Sequence, residues 1–226
     1  FFGSCLIVFV LGRLVAWRCF GLDGAGQSLF GLGGVFSNNV LLGIPLAKVA
    51  LGEAALPSVA LVLVFNSLTL WTLVTVSVEW ARHGSFTAHG FVKTLKAVLT
   101  TPIVASILSG TLFGLSGLPV PELIDQPLAM VATAAAPLAM IVLGMGLAEY
   151  GIREGWQIST AITAVKLLVQ PLVVWLLARL LGLPPLETQV VVLLASLAVG
   201  ANVDLMARHF KVLEGPVAGS LILSTM

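Results

Sequence analysis

Charged side chains are scarce in this sequence. Asp, Glu, Lys and Arg together make up 9% of the 226 residues, and the formal net charge is +1. A soluble domain carries about 25% charged residues, so this chain cannot cover its surface with groups that would keep it in water. A near-neutral chain without a basic stripe also lacks the footprint of a nucleic-acid-binding protein. These shortages exclude a soluble cytosolic enzyme and a partner made of nucleic acid.

The residues that usually carry catalysis or bind metals are also few. The two cysteines, Cys5 and Cys19, are too few for a secreted disulfide scaffold and do not define a redox compartment. The three histidines lie in predicted loops, and their spacing does not match a metal site. The sequence contains no Ser-His-Asp, Cys-His, Walker or GxGxxG arrangement. It therefore predicts no catalytic residue, no bound metal and no cofactor, and it argues against an enzyme.

Apolar residues, in contrast, are abundant. They make up 58% of the chain, and the mean hydropathy is +1.09. Eight apolar segments are separated by charged or turn-rich stretches, at residues 1–17, 29–49, 56–78, 95–115, 127–147, 156–181, 186–207 and 216–226. Their lengths suit transmembrane helices, whereas barrel strands would be shorter and would alternate polar with apolar residues. We expect an all-α polytopic membrane protein, with a single transmembrane domain over residues 1–226 embedded in the lipid bilayer.

Both ends of the chain fall inside apolar runs. Phe1 has no initiator Met and no charged stretch before it, and the last run covers only residues 216–226. A transmembrane helix needs about 20 apolar residues, so this last segment is too short to span the membrane. We therefore expect the sequence to be a fragment of a longer polytopic protein.

The distribution of Lys and Arg predicts how the segments are oriented. If the loops after the first, third, fifth and seventh segments are cytoplasmic, they contain Arg13, Arg18, Arg82, Lys93, Lys96, Arg153, Arg208 and Lys211. The opposite side then holds Lys48 and Arg179. Because cytoplasmic loops carry an excess of Lys and Arg, residue 1 is expected on the outer side of the cell inner (cytoplasmic) membrane. Residues 79–94 then form a cytoplasmic connection between a first part, 1–78, and a second part, 95–226.

The segment at 29–49 is expected to be an interrupted helix. It carries two adjacent amides, Asn38 and Asn39, near its middle, followed by Gly43 and Pro45. Proline removes a backbone donor and glycine relaxes the chain, so backbone groups become free at membrane depth. Such groups are tolerated only where they face protein or a water-filled cavity, and broken helices form substrate sites in secondary transporters. The alternative is a kinked structural helix whose asparagines bond to neighbouring helices.

The segment at 186–207 is the second candidate for an interruption. Gly200 supplies a flexible point, Asn202 an amide, and Asp204 is the carboxylate that lies inside an apolar span. A carboxylate inside the bilayer is costly and is a candidate functional group by default. The alternative is an ion pair near the cytoplasmic end, because Asp204 and Arg208 stand four residues apart on a helix.

Lys166 lies ten residues into the segment at 156–181, and Pro171 follows it. At about 1.5 Å per residue, the lysine is about 15 Å deep and should point into the bundle or a cavity. Its charge could attract an anionic substrate, or it could neutralise Asp204 or the C-terminus of a helix. The sequence leaves these roles open.

Four sequence stretches together resemble the auxin efflux carrier family, particularly its bacterial, malate permease-like members. They are FSNNVLLGIPLA at 36–47, APLAMIVLGMGLA at 136–148, KLLVQPL at 166–172 and ASLAVGANVDLMAR at 195–208. No single stretch is specific, but the four occur in the family's order and spacing.

The resemblance implies a fold of ten helices, built from two inverted repeats of five. The eight segments would be the third to the tenth helices: helices 3–5 in residues 1–78 and helices 6–10 in 95–226, the last one truncated. The fourth and ninth helices of the family are interrupted and cross at the substrate site, and Asn38, Pro45 and Asn202 fall at those positions. Two residues depart from the family pattern. Ala198 stands where the second crossing usually has a proline, which leaves Gly200 to supply the bend, and Asn39 replaces the usual small residue.

On this basis we expect a secondary transporter that moves a small organic anion by alternating access around the two broken helices. The substrate would be a carboxylate such as malate, or an auxin-like acid. The amides of Asn38, Asn39 and Asn202 would donate to the carboxylate, Lys166 would add positive potential, and Asp204 would be the protonatable or cation-binding group of a coupled carrier.

Three alternatives remain open at this stage. A sodium-coupled symporter of the bile-acid type would share the crossed helices but should show a denser cluster of acids and amides. A passive pore would lack a saturable site. A non-transporting receptor or structural subunit would use the polar residues for packing alone. The sequence also leaves open whether protons or sodium are coupled and whether the protein is a monomer or a homodimer.

Overall fold

The computed structural model of the protein describes residues 1–83, 102–150 and 155–226. Regular structure within these ranges is helical, apart from one isolated β-bridge. The α-helices in chain order are α1 Phe2–Phe20, α2 Gly24–Gly33, α3 Ile44–Leu51, α4 Leu56–His83, α5 Pro102–Leu115, α6 Glu122–Tyr150, α7 Trp156–Ala164, α8 Gln170–Leu180, α9 Pro185–Ala195, α10 Asn202–Phe210 and α11 Glu214–Thr225. Each of the eight apolar segments thus coincides with one helix or with a pair of consecutive helices, as expected of an all-α protein.

Two helical stretches in the described part of the chain are long and apolar enough to cross a membrane. They are Phe2–Phe20, with 19 residues, and Trp156–Leu180, with 25 residues, which joins α7 to α8. The helix α4 is longer than its apolar run predicts and continues to His83. The first five residues of the predicted connection at 79–94 are therefore helical, and residues 84–94 lie outside the described ranges, as does the start of the predicted span at 95–115.

Both segments predicted to be interrupted are interrupted. In the first, α2 ends at Gly33, the chain passes through an irregular stretch, and a π-helical turn at Asn39–Gly43 leads into α3. In the second, α9 ends at Ala195 and α10 begins at Asn202.

Proline accounts for the position of both π-helical turns in the structure. The turn at Asn39–Gly43 ends two residues before Pro45, and a second turn at Val165–Val169 ends two residues before Pro171. A proline inside an α-helix lacks an N–H donor and its ring clashes with the carbonyl four residues earlier. A widened turn relieves that clash, and it lets the amide before each proline bond to the carbonyl five residues back, from Ile44 to Asn39 and from Gln170 to Val165.

The ends of different helices meet at two places in the structure. At the predicted cytoplasmic side, Arg82 near the end of α4 donates to the carbonyl oxygen of Phe210 at 2.6 Å, at the end of α10. The guanidinium also lies 5.8 Å from the centre of the Phe210 ring. At the predicted outer side, one groove is lined by Leu51 at the end of α3, Arg179 near the end of α8 and Pro185 at the start of α9.

Small residues let the helices pack with their backbones in contact. A Cβ atom on Gly31 of α2 would lie 2.8 Å from the Phe9 carbonyl oxygen of α1. On α7, Ser159 donates to the Pro216 carbonyl oxygen of α11 at 2.8 Å, and a Cβ atom on Gly219 would lie 2.6 Å from the Ser159 hydroxyl. Such close approaches are typical of helix interfaces in membranes. Small residues there let the backbones come close, and van der Waals packing then stabilises the association of the helices. These close approaches hold α2 against α1 and α7 against α11.

Candidate functional site

The two interruptions meet at an antiparallel β-bridge between Ser37 and Val199. The Gly200 amide donates to the Phe36 carbonyl at 2.8 Å, and the Asn38 amide donates to the Ala198 carbonyl at 3.0 Å. Each broken helix therefore provides hydrogen-bond partners for the backbone groups that the break in the other helix leaves free. This pairing allows irregular backbone in the interior of a helical membrane protein.

Gly200 is needed at this crossing because the two chains approach so closely. A Cβ atom at Gly200 would lie 2.9 Å from the Ser37 carbonyl oxygen and 2.8 Å from a ring carbon of Phe36. Ala198, which stands where the resembling family has proline, instead contributes its carbonyl oxygen to the bridge. The crossing therefore forms without a second proline. Ser224 of α11 supports it from outside, since the Val199 amide donates to the Ser224 hydroxyl at 3.0 Å.

Buried polar atoms without partners lie directly beside the bridge. The exposed fraction is 1% for Ser37 and 3% for Asn39. In the described part of the chain, the Ser37 hydroxyl and both polar atoms of the Asn39 amide have no hydrogen-bond partner. Each unpaired buried group costs about 1–3 kcal/mol, so such a group in a native fold needs an explanation. A polar ligand bound at the crossing would supply the missing partners.

Two half-helices begin beside the crossing. Asn39 is the first residue of the π-helical turn that leads into α3, and Asn202 is the first residue of α10. Neither start has a hydrogen bond from a capping side chain. The first N–H groups of a helix carry a partial positive charge and form a natural site for an anion. Asn38 and Asn202 are half-buried, so they stay closer to solvent than Asn39 does.

The end of α9 also lies at the crossing, and Lys166 binds it. The ammonium group of this completely buried lysine donates to the carbonyl oxygen of Ala195, the last residue of α9. Of the roles that the sequence leaves open for Lys166, the geometry shows contact with a helix C-terminus.

Asp204 lies in the first turn of α10 and pairs with Arg208. The Arg208 Nε atom donates to its Oδ2 atom at 2.8 Å, and the Asp204 side chain is 4% exposed. The second carboxylate oxygen is buried and has no partner among the described residues. The ion pair considered from the spacing is therefore present, and one oxygen remains available to a proton or ligand.

The crossing brings together Asn38, Asn39 and Gly200, with Asn202 two residues beyond. Pro45 is exposed in the first turn of α3, so it affects the site through the backbone that it shapes. Sequence reasoning missed Ser37 and Ser224. Ser37 directly precedes the asparagine pair, and this position next to two candidate residues could have indicated it. Ser224 lies in an apolar run, and no neighbouring residue indicates a role for it. Among the described residues, no group of three or more His, Cys, Asp or Glu side chains could hold a metal ion.

Two broken helices crossing inside a helical protein, with polar groups at the crossing, are the architecture of membrane transporters. The comparison with known sequences agrees. The chain belongs to the membrane transport protein family, whose sequence profile matches residues 1–226. It is also 26% identical over 205 residues to a protein of Rhizobium meliloti (strain 1021) named "Putative malonate transporter". That alignment covers 89% of this chain and 64% of the relative's length.

Proposed function

We propose that the protein is a secondary transporter that carries a small carboxylate, such as malonate or malate, or an auxin-like acid, across the cytoplasmic membrane. The observation that carries this proposal is the set of buried, unpaired polar atoms on Ser37 and Asn39 at the crossing. They lie beside the starts of two half-helices that no side chain caps. Membrane transport is the function of the family, and the chemistry of this site supports a carboxylate as the kind of substrate.

The donors at the crossing suit a carboxylate better than a cation. The Asn39 and Asn202 amides each offer N–H donors, and helix N-termini add partial positive charge. A carboxylate accepts several such bonds at once, and bonds to an ionised acceptor are about twice as strong as neutral ones. The name of the Rhizobium relative, which refers to malonate, is consistent with a small dicarboxylate as substrate.

A groove of about 560 Å³ offers a route from the predicted outer side towards the crossing. Arg179 lines it at the outer end, and Ser196, the residue that follows α9, lines it at the inner end. The Arg179 guanidinium lies 5.8 Å from the Trp175 ring centre and leaves a positive charge at the entrance. A cation at the mouth of a groove raises the local concentration of anions.

Alternating access would move the crossing relative to the rest of the protein. The two inverted repeats implied by the resemblance, within residues 1–78 and 95–226, would supply the two halves of this motion. Because the bridge joins the two broken helices by backbone hydrogen bonds, we propose that they move as one body. Asp204 is the group proposed to couple transport to protons, through the carboxylate oxygen that Arg208 does not bind.

The test is uptake of labelled malonate and malate into vesicles that contain the full-length protein. We expect saturable uptake by the wild type and a loss of about tenfold or more in Asn202→Ala, corresponding to about 1.4 kcal/mol of binding. Gln27→Ala is the matched control, since Gln27 is another half-buried amide but bonds to the Leu22 carbonyl, away from the crossing.

Each contrary result would favour a different alternative. Uptake that does not saturate would favour a passive pore. A wild type that accumulates normally in the membrane but takes up no carboxylate would favour a receptor or structural subunit. Equal uptake by Asn202→Ala and the wild type would mean that the site lies elsewhere.

A further inference from the structure

The end of α9 is bound by a cation that belongs to the protein itself. Lys166 is completely buried, and its ammonium group donates to the carbonyl oxygen of Ala195, the last residue of the helix. Among the described residues no carboxylate forms an ion pair with Lys166. The lysine lies in the π-helical turn at Val165–Val169, so the widened turn holds it in the middle of a helical span.

A positive charge at this place compensates the partial negative charge of a helix C-terminus. The last carbonyl groups of a helix have no partner within the helix and together carry about half of an elementary negative charge. Water usually satisfies such carbonyls at an exposed helix end, but Ala195, the last residue of α9, is completely buried. In transporters with broken helices, the C-terminal ends of half-helices coordinate the coupling sodium ion or proton. The Lys166 ammonium group brings a positive charge to the same kind of helix end.

At both breaks, backbone amides bond to the last carbonyls of the preceding helix, from Phe36 to Leu32 at 2.9 Å after α2 and from Ser196 to Val192 at 2.9 Å after α9. The end of α9 differs from the end of α2 because it also binds a cation, Lys166. The carboxylate near the second break is also compensated, because Asp204 pairs with Arg208. The two negative features that lie closest to the second break in sequence, Asp204 and the end of α9, therefore each have a cation from the chain.

We infer that Lys166 is a built-in substitute for a coupling metal ion, so transport by this protein needs no sodium at the crossing. The inference rests on the proposed function and specifies its coupling. Lys166 is a positioning residue, since it acts through the end of α9. Its removal should leave a vacant cation position that an alkali metal ion can enter.

The experiment measures thermal unfolding of the purified full-length protein in sodium, potassium or choline chloride at equal ionic strength. We expect the wild-type Tm to be the same in all three salts. In choline, Lys166→Gln should unfold about 5 °C lower, because the charge-assisted hydrogen bond to a buried carbonyl is lost. Sodium or potassium should restore about half of that loss. Lys48→Gln is the matched control, because Lys48 is exposed at the end of α3 and pairs with Glu53 at 3.2 Å. Its Tm should not depend on the salt.

Three results would overturn the inference. One is a wild type that sodium stabilises more than potassium or choline does. Another is Lys166→Gln with the wild-type Tm in choline, and the third is a loss of Tm that no alkali cation reverses. If Lys166→Gln does not accumulate, Lys166→Arg, which keeps the charge, takes its place and must show a salt-independent Tm.

Unfolding needs no substrate, so this experiment stands even if carboxylate uptake fails. A parallel uptake measurement with the wild type links the two proposals. Malonate uptake should have the same rate with an inward sodium gradient and with choline in place of sodium. Uptake that requires sodium would overturn the inference and leave carboxylate transport itself supported.

Discussion

Replacing Asn39 by leucine should stabilise the fold and abolish transport. Both polar atoms of the Asn39 amide are buried and lack partners among the described residues. The cost of an unpaired buried polar group is about 1–3 kcal/mol, and leucine has a similar size without polar atoms. The substitution should therefore gain about 1 kcal/mol of unfolding free energy, or roughly 3 °C in Tm for a protein of this size. Uptake of malonate should fall by about tenfold or more, because the amide donor is lost.

The assay compares thermal unfolding and vesicle uptake of the same purified variants. Ser28→Ala is the control with the opposite sign, because Ser28 is a buried polar residue whose hydroxyl has partners, the Gly24 carbonyl at 2.7 Å and the Ser77 hydroxyl at 2.8 Å. It should lower the unfolding free energy by about 1 kcal/mol and leave the crossing intact. An Asn39→Leu variant that is less stable than the wild type and still transports would refute the reasoning, since Asn39 would then be a structural residue.

Three further substitutions test the crossing. Gly200→Ala should abolish uptake and lower the Tm, because its Cβ would lie 2.9 Å from the Ser37 carbonyl oxygen, whereas Gly114→Ala, with no atom within 4 Å, should change neither. Ser37→Cys combined with Val199→Cys, without the native cysteines, should form a disulfide on oxidation, detected by mass spectrometry. Residues facing each other in this type of bridge have Cα atoms about 4.5 Å apart. Asp204→Asn should transport at a rate that no longer depends on a proton gradient. A persisting dependence would assign the coupling to another group.

Hydropathy predicts where the helices lie because each helical span of a membrane protein needs a long apolar run. It predicts their ends less well. The helix α4 passes the end of its apolar run by five residues, from 78 to His83. Hydrogen bonding within a helix does not require apolar side chains, so a helix can continue into water beyond the lipid. Arg82, beyond that apolar run, is in contact with the end of α10.

The positions of the breaks could be predicted, but their pairing could not be derived from the residues alone. Asparagine, glycine and proline inside an apolar run are local signals, and they lie close to both interruptions. The bridge between Ser37 and Val199 is a contact between distant parts of the chain, and no local pattern encodes it. The expectation that the two helices cross came from the family resemblance.

The partner of Lys166 could not be predicted from the neighbouring residues in the sequence either. Depth in the span showed that the ammonium group must find a partner inside the protein, but three partners fitted equally well. The group that it contacts is a backbone carbonyl, that of Ala195, which any residue type would provide at that position. Side-chain chemistry in the sequence can therefore indicate that a buried charge is compensated without indicating by what.

The ends of the broken helices support the proposal that the crossing selects an anion. A broken helix creates a positive end and a negative end at the same depth, and without further help the two would nearly cancel. Here the negative ends are compensated within the chain, by backbone amides after α2 and by the Ser196 amide together with Lys166 after α9. The positive ends, at Asn39 and Asn202, have no side-chain cap. These two helix starts support the proposal that the crossing binds a carboxylate rather than a cation.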